Sequence, residues 1–443
     1  MPGVAALDRP GDQRLPAGQL LGRQAAAKNL GEARHADRQP VRDLVYAAPD
    51  AAALQWLDAG ARGWRLDVSG EVDPGRGHDA ENDFWEGFFD AVTTTDPDAL
   101  IVGKVWHDAS PWMVGGEWHA TMNYRLRAAV LDWLFDACEA GPGCPDGTWF
   151  EDNDSADWRE SGRVDPIDDP TLKLRLQSIL EDTPEPLWHV QMNLLGSHDV
   201  SRLGWMLRMG SSGDSALALD KQRLAALLVY TWPGMPTVYY GDEVDLSPDS
   251  QWDGGIYQDD PYNRATYPWE DLGGAPDTHL RDWYAGLAEM RKDSPALMRG
   301  GVRFLEAEGV VAFVREADDD VAQVVLNRSE AVVDTALEVD GVWEDVLSGR
   351  RFEARDGVLS VDDVPALSGV VLRSTDAGPG GDTGEGDSVE DAVPASEASK
   401  DDGCGCVSGS ASGGLLLGVL GLVARRRGGS AGAPSACSAG TSP

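Results

Sequence analysis

The chain reads as an α/β protein: a partial (β/α)8 barrel with about five of the eight strands, followed by an antiparallel β-sandwich domain. Three observations predict this. Strand-like and helix-like segments alternate over residues 45–300, and repeated βα units pair their strands in parallel. Polar and charged residues gather where those strands run out, the end at which a βα barrel keeps its chemistry. From about Gly301 the pattern changes to short apolar β runs.

The elements follow in order. Residues 51–59 read as a short helix stopped by Gly60. Residues 63–68 read as the first strand, and 84–92 as a helix with apolar residues at helical spacing. Residues 100–106 form the second strand signal, and 119–124 offer a third, followed by a helix through Ala140. Residues 136–190 are an acidic insertion before the fourth strand, 191–195. A helical segment at 225–230 leads to the fifth strand, 236–240. The runs 310–314 and 321–326 open the antiparallel domain, 301–373.

Outside this globular part the composition shifts. Residues 1–44 are an irregular segment rich in Arg, Gln, Ala and Gly, without a secretion-signal pattern. Residues 374–402 carry nine acids against Lys400 and no aromatic residue, the make-up of a disordered linker. Residues 403–443 hold Cys404 and Cys406, an apolar run from Leu415 to Val423, and Arg425, Arg426 and Arg427. That run is too short for a membrane span of roughly 20 residues, and the arginines follow it as a cytoplasmic stop would.

Charge narrows the function. Acids outnumber bases 75 to 37, for a net charge of −38. Such a surface argues against nucleic acid, whose phosphates need Lys and Arg neighbours. It argues equally against an anionic membrane or substrate and suits a neutral or cationic ligand. Five cysteines are too few for a disulfide scaffold, although Cys138 and Cys144 could close a small loop.

The strand ends carry recognisable residues. Gly63-Trp64-Arg65-Leu66-Asp67-Val68 resembles the second signature of the α-amylase family of glycoside hydrolases. Residues 101–108, with Val105 and Trp106, resemble the third except at one position, and Asn193-Leu194-Leu195-Gly196-Ser197-His198-Asp199 resembles the fourth. Residues 234–243 are similar to that family's last barrel strand, and Asp260-Pro261-Tyr262-Asn263-Arg264 to the loop after it. With Met122-Asn123-Tyr124, the set looks most like the neopullulanase and cyclomaltodextrinase branch, over about residues 45–373.

The resemblance implies a retaining hydrolase of α-glucosidic bonds in starch-type glucans, cyclodextrins or pullulan. Such an enzyme places two carboxyl groups about 5–5.5 Å apart, one as nucleophile and one as acid and base. Asp67 matches the nucleophile, and Arg65 lies on the same strand face two residues earlier. A cation there keeps a carboxylate ionised. Asp199 matches the third family carboxylate and His198 a sugar-binding histidine. Asp260 and Arg264 match a pair lining the same subsite, and Trp106 is a candidate stacking surface for sugar.

Two departures qualify that expectation. Lys104 occupies the position of the family's acid and base glutamate. An ammonium with an ordinary pKa of about 10.4 is a poor acid near neutrality, and losing positioned acid–base help costs about 10²–10⁴-fold in rate. Its charge would also repel an oxocarbenium-like transition state and pair with Asp67. Asp108 and Glu117 are nearby but off the motif position. Second, the family's first signature is missing from residues 1–62, so the first three strands are expected to be absent; a start truncated upstream would explain this and the missing export signal.

No metal is expected from any specific motif, with calcium left as the one possible ion. Asp152, Asp154 and Asp157 are the nearest thing to a calcium set, but their spacing matches no calcium loop and suits a solvated acidic face. His78, His107 and His119 form no ligand cluster, and Trp112 and Trp252 are further stacking candidates with a buried role as the default. The resemblance implies no redox or nucleotide cofactor. The last segment resembles a myxobacterial cell-surface sorting tail, which implies export and a surface or membrane anchor. The alternatives to an enzyme are a non-catalytic α-glucan-binding or interaction protein on the same fold, or an inactive fragment.

Overall fold

The computed structural model describes residues 38–73, 83–139, 149–150, 163–249, 251–253, 256–258, 261–318 and 320–375. His78, Cys144, Asp152, Asp154, Asp157, Asp260 and the segments 1–37 and 376–443 lie outside the described residues, as does the side chain of Trp252.

Five short parallel strands form one array. They are β1 (Gly63–Arg65), β2 (Leu100–Gly103), β3 (Ala120–Thr121), β4 (Met192–Leu194) and β5 (Met235–Thr237). β1, β2 and β3 pair in that order, and β4 pairs with β5. The two sets are joined by a parallel bridge between Met122 and Met192. Among the described residues, β1 and β5 each pair along one side only.

The strands are shorter than the apolar runs suggest because the chain must leave the ladder to present side chains. Leu66 N–H still reaches Val102 O at 2.8 Å. Two residues later Val68 has a φ of +49°, a left-handed conformation that a β-branched residue rarely adopts. That turn follows Asp67, two residues past the end of β1. The third strand also closes early, since Tyr124 already begins helix α3.

The helices cover the outer face. They include α1 (Ala52–Asp58), α2 (Phe84–Thr95), α3 (Tyr124–Leu134), α4 (Asp169–Glu181), α5 (Ser215–Thr231) and α6 (Thr278–Lys292). In α2, Phe84, Trp85, Phe88 and Val92 form the buried stripe and pack on Ile101 of β2. The next residue of β2, Val102, points the other way, toward Ala120, Met122 and Leu194. Helix α3 starts at an Asn123 cap whose side chain accepts Leu126 N–H at 3.1 Å. It ends at Leu134, short of the expected Ala140.

The antiparallel domain runs from Gly301 to Ser374. Its strands are β6 (Gly301–Leu305), β7 (Val311–Ala317), β8 (Asp320–Asn327), β9 (Val333–Glu338), β10 (Val342–Asp345), β11 (Arg351–Glu353), β12 (Val358–Val364) and β13 (Ser368–Ser374). Six of them form a sheet in the order β6-β7-β8-β13-β10-β11, and β9 pairs with β12 alone. Alternation along β7 serves both faces. Ala312 packs toward Leu337, Leu359 and Val361 of the small sheet, whereas Val311 and Phe313 join the core of α3 and α5. The sheet is therefore apolar on both sides, and the barrel helices and the sandwich share a core. Arg315 stitches them together, donating to Gly300 O at 2.9 Å and Gly301 O at 3.1 Å and also to Thr231 O.

Candidate active site

Asp67 and Lys104 stand just past the ends of β1 and β2, and Asp199 follows β4 by five residues. The tips converge. Arg65 Nη1 lies 3.0 Å from Asp67 Oδ1, as the period of two requires. Lys104 Nζ lies 3.4 Å from the same oxygen and also pairs with Asp199 Oδ2. On the far side of Asp199, His198 Nε2 is 3.2 Å and Arg264 Nη2 3.9 Å from Oδ1. Of the residues singled out from the sequence, Arg65, Asp67, Lys104, His198, Asp199 and Arg264 are brought together. Trp106 joins them: its half-buried ring lies 4.8 Å from Lys104 Nζ and 4.5 Å from the Tyr124 ring.

Lys104 is the most enclosed of the three central groups. Its side chain is 8% exposed, against 20% for Asp199 and 57% for Asp67. Its backbone is pinned as well, because Ser69 Oγ accepts Lys104 N–H at 2.8 Å and donates to Lys104 O at 3.0 Å. Partial burial raises the Asp67 carboxyl, but Lys104 and Arg65 outweigh it and hold that group below its ordinary value. Burial lowers the His198 imidazole, and the cations Arg65, Lys104 and Arg264 add to the effect against Asp199. The balance favours the neutral imidazole beside the Asp199 carboxylate.

Several positioning residues escaped the sequence reading, although some lay inside quoted motifs. Ser197 Oγ accepts Asp199 N–H at 3.1 Å and is 3.0 Å from Tyr124 Oη. Asn263 Nδ2 donates to His198 O at 2.6 Å, and Tyr239 Oη donates to Asn263 O at 3.1 Å, so the loop bearing Arg264 is tied to the strand ends. Beneath them Arg202 lies over the rings of Tyr239 and Tyr240 and pairs with buried Asp242 at 3.5 Å. Burial, helped by Glu243, raises the Asp242 carboxyl to about 7 against the pull of Arg202. Gly196 makes room for that carboxylate: a Cβ there would sit 2.3 Å from Asp242 Oδ2.

The two acids near Lys104 in sequence have other places. Asp108 lies just before the short helix Ser110–Gly115, accepts hydrogen bonds from Ser110 N–H at 2.9 Å and Ser110 Oγ–H at 2.8 Å, and pairs with Arg125 at 3.4 Å. Glu117 is fully buried and lies with Asp73 and Glu86, three carboxylates whose ligand oxygens fall within 4.8 Å of one another. No sequence motif points to this group, because its members are far apart along the chain. Trp112 is not a sugar platform; it is buried, and its Nε1 donates to Asp73 O at 2.8 Å. His119 is half-buried and its Nδ1 accepts Ile101 N–H at 3.1 Å. Cys138 is disulfide-bonded. Among the described residues no helix is long and apolar enough to cross a membrane.

A parallel βα array with carboxylates at its strand ends, followed by an antiparallel sandwich, is the build of a barrel glycoside hydrolase. The catalytic domain of α-amylase matches residues 35–285, and the C-terminal domain of maltogenic amylase matches 302–365. The chain belongs to the α-amylase family. It is 33% identical over 362 residues to an amylopullulanase of Thermoanaerobacter thermohydrosulfuricus, covering 75% of this chain and 22% of that one. It is 30% identical over 313 residues to neopullulanase 2 of Thermoactinomyces vulgaris, covering 69% and 44%. Among solved structures, the type III pullulan hydrolase of Thermococcus kodakarensis superposes with a TM-score of 0.54 at 26% identity, over 76% of this chain and 48% of that one. The chain thus spans under half the length of these relatives.

Proposed function

We propose that this chain acts on α-glucans as a retaining glycoside hydrolase whose hydrolytic step is held back by Lys104. One observation carries the reading: Lys104 Nζ lies 3.4 Å from Asp67 and also pairs with Asp199, so an ammonium fills the position of the acid and base. In this reading Asp67, kept ionised by Arg65 and Lys104, attacks the anomeric carbon. Asp199, His198 and Arg264 hold sugar hydroxyls, with Asp260 assigned to the same subsite on sequence alone. Trp106 presents a ring surface, backed by the buried ring of Tyr124. The carboxyl that would protonate the leaving oxygen has no counterpart among these groups, so bond cleavage is slow and binding persists. The chemistry runs on carboxylates and calls for no redox or nucleotide cofactor.

Lys104 also favours a second reading, a non-catalytic α-glucan-binding protein. Calorimetric titration with a linear maltooligosaccharide, beside reducing-sugar release from maltooligosaccharide, cyclodextrin and pullulan, separates the two. Binding with slow but measurable release supports the hydrolase. Binding with no release above that of the Asp67→Asn variant leaves the binding protein, and no binding refutes both.

The reading also takes the protein to be exported and held at the cell surface. The support is the order of Cys404, Cys406, the apolar run and the arginine cluster. Protease treatment of intact cells tests it: a chain that stays protected in intact cells is not on the surface.

A further inference from the structure

Asp73, Glu86 and Glu117 are 1%, 6% and 0% exposed. They come from three elements. Asp73 follows the turn of helix Ser69–Val72, Glu86 lies in the first turn of α2, and Glu117 follows Gly116 just before β3. Each offers an oxygen, and the three oxygens lie within 4.8 Å of one another. Like charges gathered in an apolar interior suffer both desolvation and mutual repulsion. Glu117 makes the problem acute. Neither of its carboxylate oxygens has a hydrogen-bond partner among the described residues. The Trp85 backbone N–H donates to Asp73 Oδ2 at 3.4 Å, and nearby Trp112 stacks on Trp118 at 5.4 Å.

We propose that Asp73, Glu86 and Glu117 form a binding site for a hard divalent cation, with calcium the ion they fit best. Three carboxylates offer six oxygens in mono- or bidentate combinations, and calcium accepts about 6–8 such ligands in flexible geometry. The all-oxygen set disfavours the softer metals that select thiolate or imidazole. Two positive charges offset most of the repulsion within the cluster. The ion would be structural. It would tie the chain after β1 to α2 and to the loop before β3. Ser69, four residues before Asp73, already bridges to the backbone of Lys104, so the tie extends to the strand ends that carry Asp67 and Lys104. This inference does not depend on the glucan reading.

The full chain, stripped with chelator, is titrated with calcium chloride by calorimetry and by thermal melting, in parallel with Glu117→Gln and Asp73→Asn. Exposed acids on a chain of net charge −38 will bind calcium weakly, so the variants supply the contrast. The expected result is one calcium per parent chain above that background. At about a hundredfold excess over Kd the melting temperature rises by several degrees. Glu117→Gln should melt cooperatively without calcium and bind at least tenfold more weakly. Equal calcium affinity in parent and Glu117→Gln overturns the proposal, and so does a parent melt that ignores calcium, magnesium and manganese; a proton on Glu117 is then the occupant. If Glu117→Gln does not fold, the parent's stoichiometry and Asp73→Asn decide, and an unaltered affinity in Asp73→Asn overturns it equally.

Discussion

Two clusters of three ionisable side chains, one at the strand ends and one shared by α2 and its adjoining loops, balance their charges in opposite ways. Asp67, Lys104 and Asp199 alternate in sign, so each carboxylate meets the ammonium between them. Asp73, Glu86 and Glu117 share one sign and lie deeper. The first cluster is electrically satisfied as it stands. The second gains by taking up a cation or a proton. A family site whose third position carries an acid would combine the two problems, holding three carboxylates where substrate enters. Lys104 removes that tension and with it the acid that the chemistry uses.

The largest expected effect is therefore at Lys104. Lys104→Glu should raise kcat/KM on a linear maltooligosaccharide by about 10²–10⁴-fold, the usual worth of positioned acid–base help. Adding Asp67→Asn should abolish the gain, and reducing-sugar kinetics on the single and double variants reads both. An unchanged rate in a Lys104→Glu protein that still binds glucan would show that more than the acid is wanting.

A second prediction concerns stability around the first cluster. Gly196→Ala places a methyl against the Asp242 carboxylate, and overpacking of this kind costs about 1–3 kcal/mol. Chemical denaturation measures the loss. A variant as stable as the parent would mean that the Arg202–Asp242 pair can move aside.

The smallest effects are in pH dependence, where Asp67 and buried Asp242 should differ in sign. Arg65 and Lys104 hold Asp67 low against its burial, so its ionised form is favoured by folding. Its contribution is present above the ordinary carboxylate pKa of about 3.9 and is lost as pH falls through the folded value. Burial raises Asp242 to about 7, so its contribution is greatest in acid and erodes as pH climbs toward that value. Melting temperatures against pH, for the parent beside Asp67→Asn and Asp242→Asn, should diverge in opposite directions. Parallel curves would remove the distinction.

Much of the site was legible because strand periodicity and strand ends are local. Arg65 and Asp67 share a face two residues apart, and Lys104 stood out as the departure from the signature that residues 101–108 otherwise resemble. The apolar runs 310–314 and 321–326 likewise marked strands of the sandwich. Strand lengths were overestimated, since the apolar runs continue through the turn at Val68 where the backbone has already left the sheet. The acidic cluster was not legible at all. Asp73 and Glu117 meet only after α2 and β2 have folded between them, and no local spacing encodes that contact. The buried Arg315, with its three carbonyl partners in another part of the chain, is the same lesson in a cation.

The central claim is that the nucleophile survives and the acid is missing. An activated sugar tests it most directly, because the fluoride of α-maltosyl fluoride departs without protonation. The account predicts fluoride release by the parent far faster than its cleavage of maltooligosaccharide, with a maltosyl adduct on the Asp67 peptide by mass spectrometry. No adduct and no fluoride release above the Asp67→Asn background would contradict it and leave a site that binds glucan without attacking it.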